Sequence, residues 1–233
     1  VSQPGSDQNQ RIFLAPAPVV FLVIVLLGLH GLIALAGEDW QNWIFYVAAF
    51  NPARYSAASI PMVPGSEIWS FLTYAFLHGS WSHVIFNCAW LLAFGTPVAR
   101  HLGTWRFLLL QAVAAIAGAA VMLLSHWGED TIVIGASAAV TGLLAAAVPI
   151  MYGHKSNEGG VQIVPLRLGE LLRNGKAMGF IAVLLVIMSA TGIAGFTGSG
   201  FIDGASIAWE AHLAGFAAGL AAFYVLGAER KDA

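Results

Sequence analysis

Four polar side chains interrupt long apolar stretches of this chain: His83, Asn87, Ser137 and His212. A hydroxyl, two imidazoles and an amide form a set suited to acyl transfer. In that chemistry His212, as general base, takes the Ser137 proton while the oxygen attacks a peptide carbonyl, then returns the proton to the leaving amine. The developing oxyanion requires preorganised donors. The candidates are the Asn87 side-chain amide, His83 and the Ser137 backbone N–H, the last at a helix N-terminus whose dipole favours negative charge. No carboxylate falls at the same depth to orient the imidazole, so the set reads as a Ser–His dyad.

Each member also has a plainer explanation. A serine at a helix start is commonly an N-cap, and a single histidine at membrane depth is commonly a packed polar contact. The combination gives the set its weight, because burying polar groups costs several kcal/mol (roughly, per group) unless they are partnered or functional. His83 and Asn87 are four residues apart and share one helical face. Gly215 and Gly219 lie one turn apart on the side of His212, where a neighbouring backbone can come close. Ser137, Thr141 and Ala145 offer a similarly thin row.

The elements that must position these residues follow from composition. Of 233 residues, 58% are hydrophobic and 9% charged, too little charge to cover a soluble domain of this length. Ten Lys and Arg against twelve Asp and Glu leave a formal charge of -2. There is no basic stripe for a phosphate backbone, so nucleic acid is excluded as a partner. Cys88 is the only cysteine, which excludes an internal disulfide and a multi-cysteine zinc site; its apolar surroundings read as those of a buried, inert thiol.

A crossing helix takes about 20 mostly apolar residues, because lipid offers backbone groups no hydrogen bonds. Six segments meet or approach this, near residues 17–36, 82–99, 106–126, 137–153, 178–196 and 207–227. The expected architecture is an all-α membrane protein: a polar tail over 1–16, a six-span domain over 17–227 and a short tail over 228–233. Six crossings put both termini on one side. Arg11, Arg100, Arg106, Lys155, Arg167, Arg173, Lys176, Arg230 and Lys231 then share that side and only Arg54 opposes them. By the positive-inside rule the termini are cytoplasmic. The other side carries Glu38, Asp39, Glu67, Glu129, Asp130, Asp203 and Glu210.

The first span also has the outline of a secretory signal ending in Ala34-Leu35-Ala36, but its apolar run exceeds the roughly 7 to 15 residues of a signal core. Segment 37–69 holds seven aromatic residues, among them Trp40, Trp43 and Trp69, with Pro52, Pro61 and Pro64 breaking it. It is expected to lie in the outer interface as a membrane-associated loop. The cytoplasmic loop 154–177, with Gly159-Gly160, carries no site. No internal repeat of the transporter kind is present.

Read together, these residues resemble the rhomboid family, most clearly over 67–227. His78-Gly79-Ser80-Trp81-Ser82-His83, ending at Asn87, resembles the family's H-x-x-x-x-H-x-x-x-N signature. Gly135-Ala136-Ser137-Ala138 resembles its GxSG nucleophile motif, and Ala211-His212 with Gly215 and Gly219 resembles its A-H-x-x-G-x-x-x-G. Gly95 and Gly103 also stand at positions usually glycine. The resemblance implies a six-helix bundle with a water-filled cavity and an intramembrane serine endopeptidase that cleaves transmembrane proteins near their outer ends. It assigns Ser137 as nucleophile, His212 as base and His83 with Asn87 as oxyanion donors. His78 is structural, as are Gly135, Gly215 and Gly219 near the site. The implied partners are transmembrane substrates and membrane lipids, with no cofactor or metal.

Three positions depart from the pattern. Ala138 replaces the glycine after the nucleophile, Thr141 stands where many members place an aromatic ring against the histidine, and Ser70 replaces the arginine that usually follows the loop tryptophan. Ala138 keeps open a catalytically impaired relative that binds transmembrane helices. A transporter or channel would require broken helices and central charges, which are not evident. HExxH and paired membrane aspartates are absent, which argues against zinc and aspartyl proteolysis. His78, His83 and His212 could form a zinc site on paper, but spacing of five puts the first two on different helical faces. The bare six-span form, without a transit-like leader, fits a bacterial plasma membrane.

Overall fold

A computed structural model describes residues 15–56, 63–156, 162–196 and 208–228. Most of both expected tails, Pro61, Gly159-Gly160 and Asp203 lie outside the described residues. The chain forms helices α1 (Ala17–Leu35), α2 (Glu38–Ala48), α3 (Ser66–Thr73), α4 (Trp81–Trp90), α5 (Thr96–Leu102), α6 (Thr104–Ser125), α7 (Ser137–Met151), α8 (Leu168–Arg173), α9 (Gly175–Phe196) and α10 (Trp209–Ala228). A two-stranded antiparallel ribbon, β1 (His154–Ser156) with β2 (Gln162–Val164), follows α7 and pairs His154 with Val164.

Among the described residues, four helical stretches are long and apolar enough to cross a membrane: Ala17–Leu35, Trp81–Leu102, Thr104–Ser125 and Trp209–Gly227. This is an integral membrane protein. The second stretch is not one regular helix, because a π-helical turn at Leu91–Gly95 joins α4 to α5. Pro97 follows that turn and has no N–H to return to the preceding turn, which favours the wider winding. Gly95, without a side chain, lies between Leu91, Leu143 of α7 and Phe107 of α6.

α7 is shorter than a typical crossing helix and is the centre of the molecule: 12 of its 15 residues are buried. Apolarity alone does not require this, because lipid can also cover an apolar helix; the small residues Ala138, Ala139, Gly142, Ala145, Ala146 and Ala147 let neighbouring helices approach it closely. α6 and α10 pack on it through small residues. A Cβ built on Gly219 of α10 would lie 2.3 Å from the Cα of Gly142, and one on Gly215 would lie 2.1 Å from the carbonyl oxygen of Ala138. The α7 side of this close approach is therefore Ala138 and Gly142, one position round the helix from the expected row Ser137, Thr141 and Ala145. Ser137 and Thr141 of that row meet α10 through their side chains, at the ring and the carbonyl of His212.

The segment 37–69 contains more regular structure than its prolines led the sequence to suggest. α2 is an 11-residue helix with Glu38 and Asp39 in its first turn, where the helix dipole favours acids. A 3-10 turn, Pro52–Tyr55, follows, with the Asn51 side chain accepting from the Ala53 N–H. Arg54 is buried in this loop and donates to the carbonyls of Ala49 and Tyr46 near the end of α2, groups a helix leaves unpaired.

Candidate active site

The backbone before Ser137 is held residue by residue. Val133 and Phe50 exchange two backbone hydrogen bonds, of 2.8 and 3.1 Å, which ties this segment to the first loop. The Gly135 N–H donates to the Tyr74 carbonyl at 3.0 Å, and the Ala136 N–H donates to His78 Nε2 at 3.4 Å. Tyr74 is anchored in turn by its hydroxyl, which donates to the Ala115 carbonyl of α6 at 2.8 Å. His78, buried at 2% exposure, thus supports the segment that delivers the serine.

Gly135 adopts φ +115°, and a Cβ there would lie 2.7 Å from His83 Nε2. Both the backbone angle and the space exclude a side chain, so the ring of His83 sits directly over the turn that leads to Ser137. The rings of His78 and His83 stand edge to face with centroids 4.9 Å apart. His78 precedes α4 and is not on the helix that carries His83.

Ser137 is the first residue of α7. The N-cap is Ala136, and no side chain caps the helix. The hydroxyl is therefore not occupied as a helix cap. It lies 2.8 Å from His212 Nε2, in the first turn of α10, across 75 residues of sequence. Both residues are partly buried. At the start of α7 the first N–H groups have no acceptor within the helix, which makes this end a natural place for an anion.

Asn87, 7% exposed, lies one turn beyond His83 on α4, and its Nδ2 donates to the His83 carbonyl at 3.0 Å. That bond uses one of the two amide hydrogens and leaves the other available. Glu210, two residues before His212, is turned to another partner: it lies 3.4 Å from His126 Nε2, while His126 Nδ1 meets Glu129 at 2.8 Å.

Ala138, the departure beside Ser137, has a specific neighbour. A Cβ on Gly118 of α6 would fall 2.7 Å from the Ala138 Cβ, so the missing side chain at 118 is the space that the Ala138 methyl uses. The sequence reading singled out Ser137, His212, His83 and Asn87 but missed Gly118, Gly142 and Tyr74. The two glycines were visible as small residues within apolar helices. Tyr74 acts partly through its backbone carbonyl, which leaves no mark in the sequence.

The family model of the rhomboid domain matches residues 65–229. The chain belongs to the rhomboid family. It is 25% identical over 212 residues to the rhomboid protease GlpG of Yersinia pestis (strain Pestoides F), covering 87% of this chain and 60% of that protein. The GlpG protein of Yersinia pseudotuberculosis serotype O:3 (strain YPIII) matches to the same extent. That of Photorhabdus laumondii is 27% identical over 99 residues, covering 42% of this chain and 33% of that protein. This rhomboid chain thus spans about 60% of the length of the first curated relatives it matches.

Proposed function

We propose that this rhomboid-family chain is an intramembrane serine endopeptidase that cleaves transmembrane proteins through a Ser137–His212 dyad. The observation that carries the reading is the 2.8 Å contact between His212 Nε2 and Ser137 Oγ at the open end of α7. A hydroxyl is a weak nucleophile until a base removes its proton, and an imidazole nitrogen at hydrogen-bond distance is such a base.

In the proposed reaction Ser137 Oγ bonds to the scissile carbonyl carbon as His212 Nε2 takes the hydroxyl proton. The tetrahedral oxyanion accepts hydrogen bonds from the first N–H groups of α7, from the free hydrogen of the Asn87 amide and from His83. Collapse breaks the C–N bond, and His212 returns the proton to the leaving amine. Water, deprotonated by His212, then hydrolyses the acyl-enzyme and restores the serine. Donors that are fixed before the charge develops need not reorganise when it does, and this is their main contribution to rate. The contacts of Val133, Gly135 and Ala136 support that rigidity.

The accompanying topology is six crossings, with the shorter helices α7 and α9 as the fourth and fifth. Both termini are cytoplasmic, because nine of ten Lys and Arg then share that side. The dyad lies towards the outer face, and the first loop with Trp40 and Trp43, both exposed, rests at the outer interface. The similarity to bacterial GlpG proteins supports a bacterial inner membrane. The place Gly118 provides for the Ala138 methyl weakens the steric argument for an impaired, helix-binding relative.

Purified protein in detergent, incubated with a single-span model substrate, is expected to yield two fragments, and Ser137→Ala none. Equal cleavage by the two proteins, or none by the wild type across several single-span substrates, would overturn the proposal.

A further inference from the structure

α10 comes close to α7 where Gly215 and Gly219 lie over Ala138 and Gly142. Such a contact sets the distance between helices but does little to set their register, because small smooth surfaces can slide along the axis. The dyad depends on register: a shift of α10 along α7 by one ångström changes the His212–Ser137 distance directly. Besides the Ser137–His212 pair itself, Thr141 brings a polar side chain to this interface. The Thr141 hydroxyl, one turn below Ser137, lies 2.9 Å from the Ala138 carbonyl of its own helix and 3.0 Å from the His212 carbonyl of α10.

We infer that Thr141 is a positioning residue, whose hydroxyl clamps the backbone of residue 212 to α7 and so fixes the reach of the His212 ring to Ser137. Residue 212 then meets α7 at two points one turn apart, through its ring at Ser137 and through its carbonyl at Thr141. Two points fix both the height and the tilt of the helix start where one point fixes neither. The hydroxyl has a single hydrogen to share between the two carbonyls. Bonding to a carbonyl one turn back is common for threonine in any helix, so the bond to Ala138 alone would be unremarkable chemistry. The bond to His212 is the one that joins the two catalytic helices. The β-branched side chain limits rotation about χ1 and holds the hydroxyl in this direction.

The inference rests on the protease reading, and its test separates the two. Cleavage of a single-span model substrate in detergent is measured for wild type, Ser137→Ala, Thr141→Ser and the near-isosteric Thr141→Val, with thermal unfolding recorded for each. Misplacement of reacting groups by about 1 Å can cost up to 100-fold in rate. Thr141→Val is therefore expected to lower kcat by about 10- to 100-fold with KM within about twofold, and Thr141→Ser to retain most of the wild-type kcat. Wild-type kcat in folded Thr141→Val, or equal losses in the Ser and Val variants, overturns the clamp. Undiminished cleavage by Ser137→Ala instead overturns the protease reading beneath it. If Thr141→Val does not accumulate as folded protein, Thr141→Cys, a poor donor, is compared with Thr141→Ser, and equal kcat overturns the clamp.

Discussion

At the residue scale, Asn87 is the most informative test after the proposed dyad. Its amide is held by the His83 carbonyl and keeps one hydrogen free, a geometry suited to an oxyanion and of little use for packing. Asn87→Ala is expected to lower kcat by about 100- to 1000-fold, the usual cost of one oxyanion donor, while thermal stability changes little. A loss of stability with kcat unchanged would make Asn87 a structural residue. The four polar residues were legible in the sequence because polar atoms are conspicuous in an apolar stretch. That the Ser137 hydroxyl does not cap its helix was less legible, since a serine at a helix start is ordinarily a cap; only the geometry puts Ala136 at the cap. Tyr74 was harder still, because it meets Gly135 through its backbone carbonyl; the resemblance named His78 as structural but not its bond from the Ala136 N–H.

At the element scale, glycines decide how closely α6, α7 and α10 approach. The Gly118–Ala138 pair makes a specific case: adding a methyl at 118 brings two Cβ atoms to 2.7 Å. Gly118→Ala is expected to destabilise the protein by about 1 to 3 kcal/mol, the usual range for overpacking a core. Because Tyr74 and the Ala211 carbonyl also lie close to Gly118, adding Ala138→Gly should restore part of the loss and not all of it. Unfolding measurements on the two single variants and the double variant check this, and strictly additive effects would contradict a direct contact. Hydropathy marked the apolar segments on which α1, α6, α7, α9 and α10 form. It could not show that α7 is central, since a short apolar helix can be a buried core or a marginal span. The helix α2, Glu38–Ala48, contains none of the prolines of this loop, which all follow it.

At the scale of the whole molecule, distant parts of the chain meet around His126. It lies beyond the end of α6 and reaches Glu129 in the following loop and Glu210 at the start of α10. The hydrogen bond to Glu129, with a further contribution from Glu210, raises the His126 pKa above its ordinary 6.5. A raised folded-state pKa gives stabilisation that is fully present below the unfolded value and fades as pH rises through the folded one. His126→Gln should therefore lower the Tm more at pH 5.5 than at pH 8.5, both values chosen about one to two units either side of the ordinary histidine pKa. An equal loss at both pH values would show that the charge is not what matters. The sequence carried the membrane class and the family at this scale, through composition and three ordered motifs. It carried nothing of the His126 bridge, because its partners are 3 and 84 residues away.

The central claim is that His212 activates the Ser137 hydroxyl. A fluorophosphonate reacts with a serine only when the oxygen is made nucleophilic, and it does so without any need for a correct substrate. Intact mass measured after incubation in detergent is predicted to show one adduct on the wild type, mapped to Ser137, and no adduct on folded Ser137→Ala or His212→Ala. An unlabelled wild type, or labelling that persists when His212 is removed, would contradict the account.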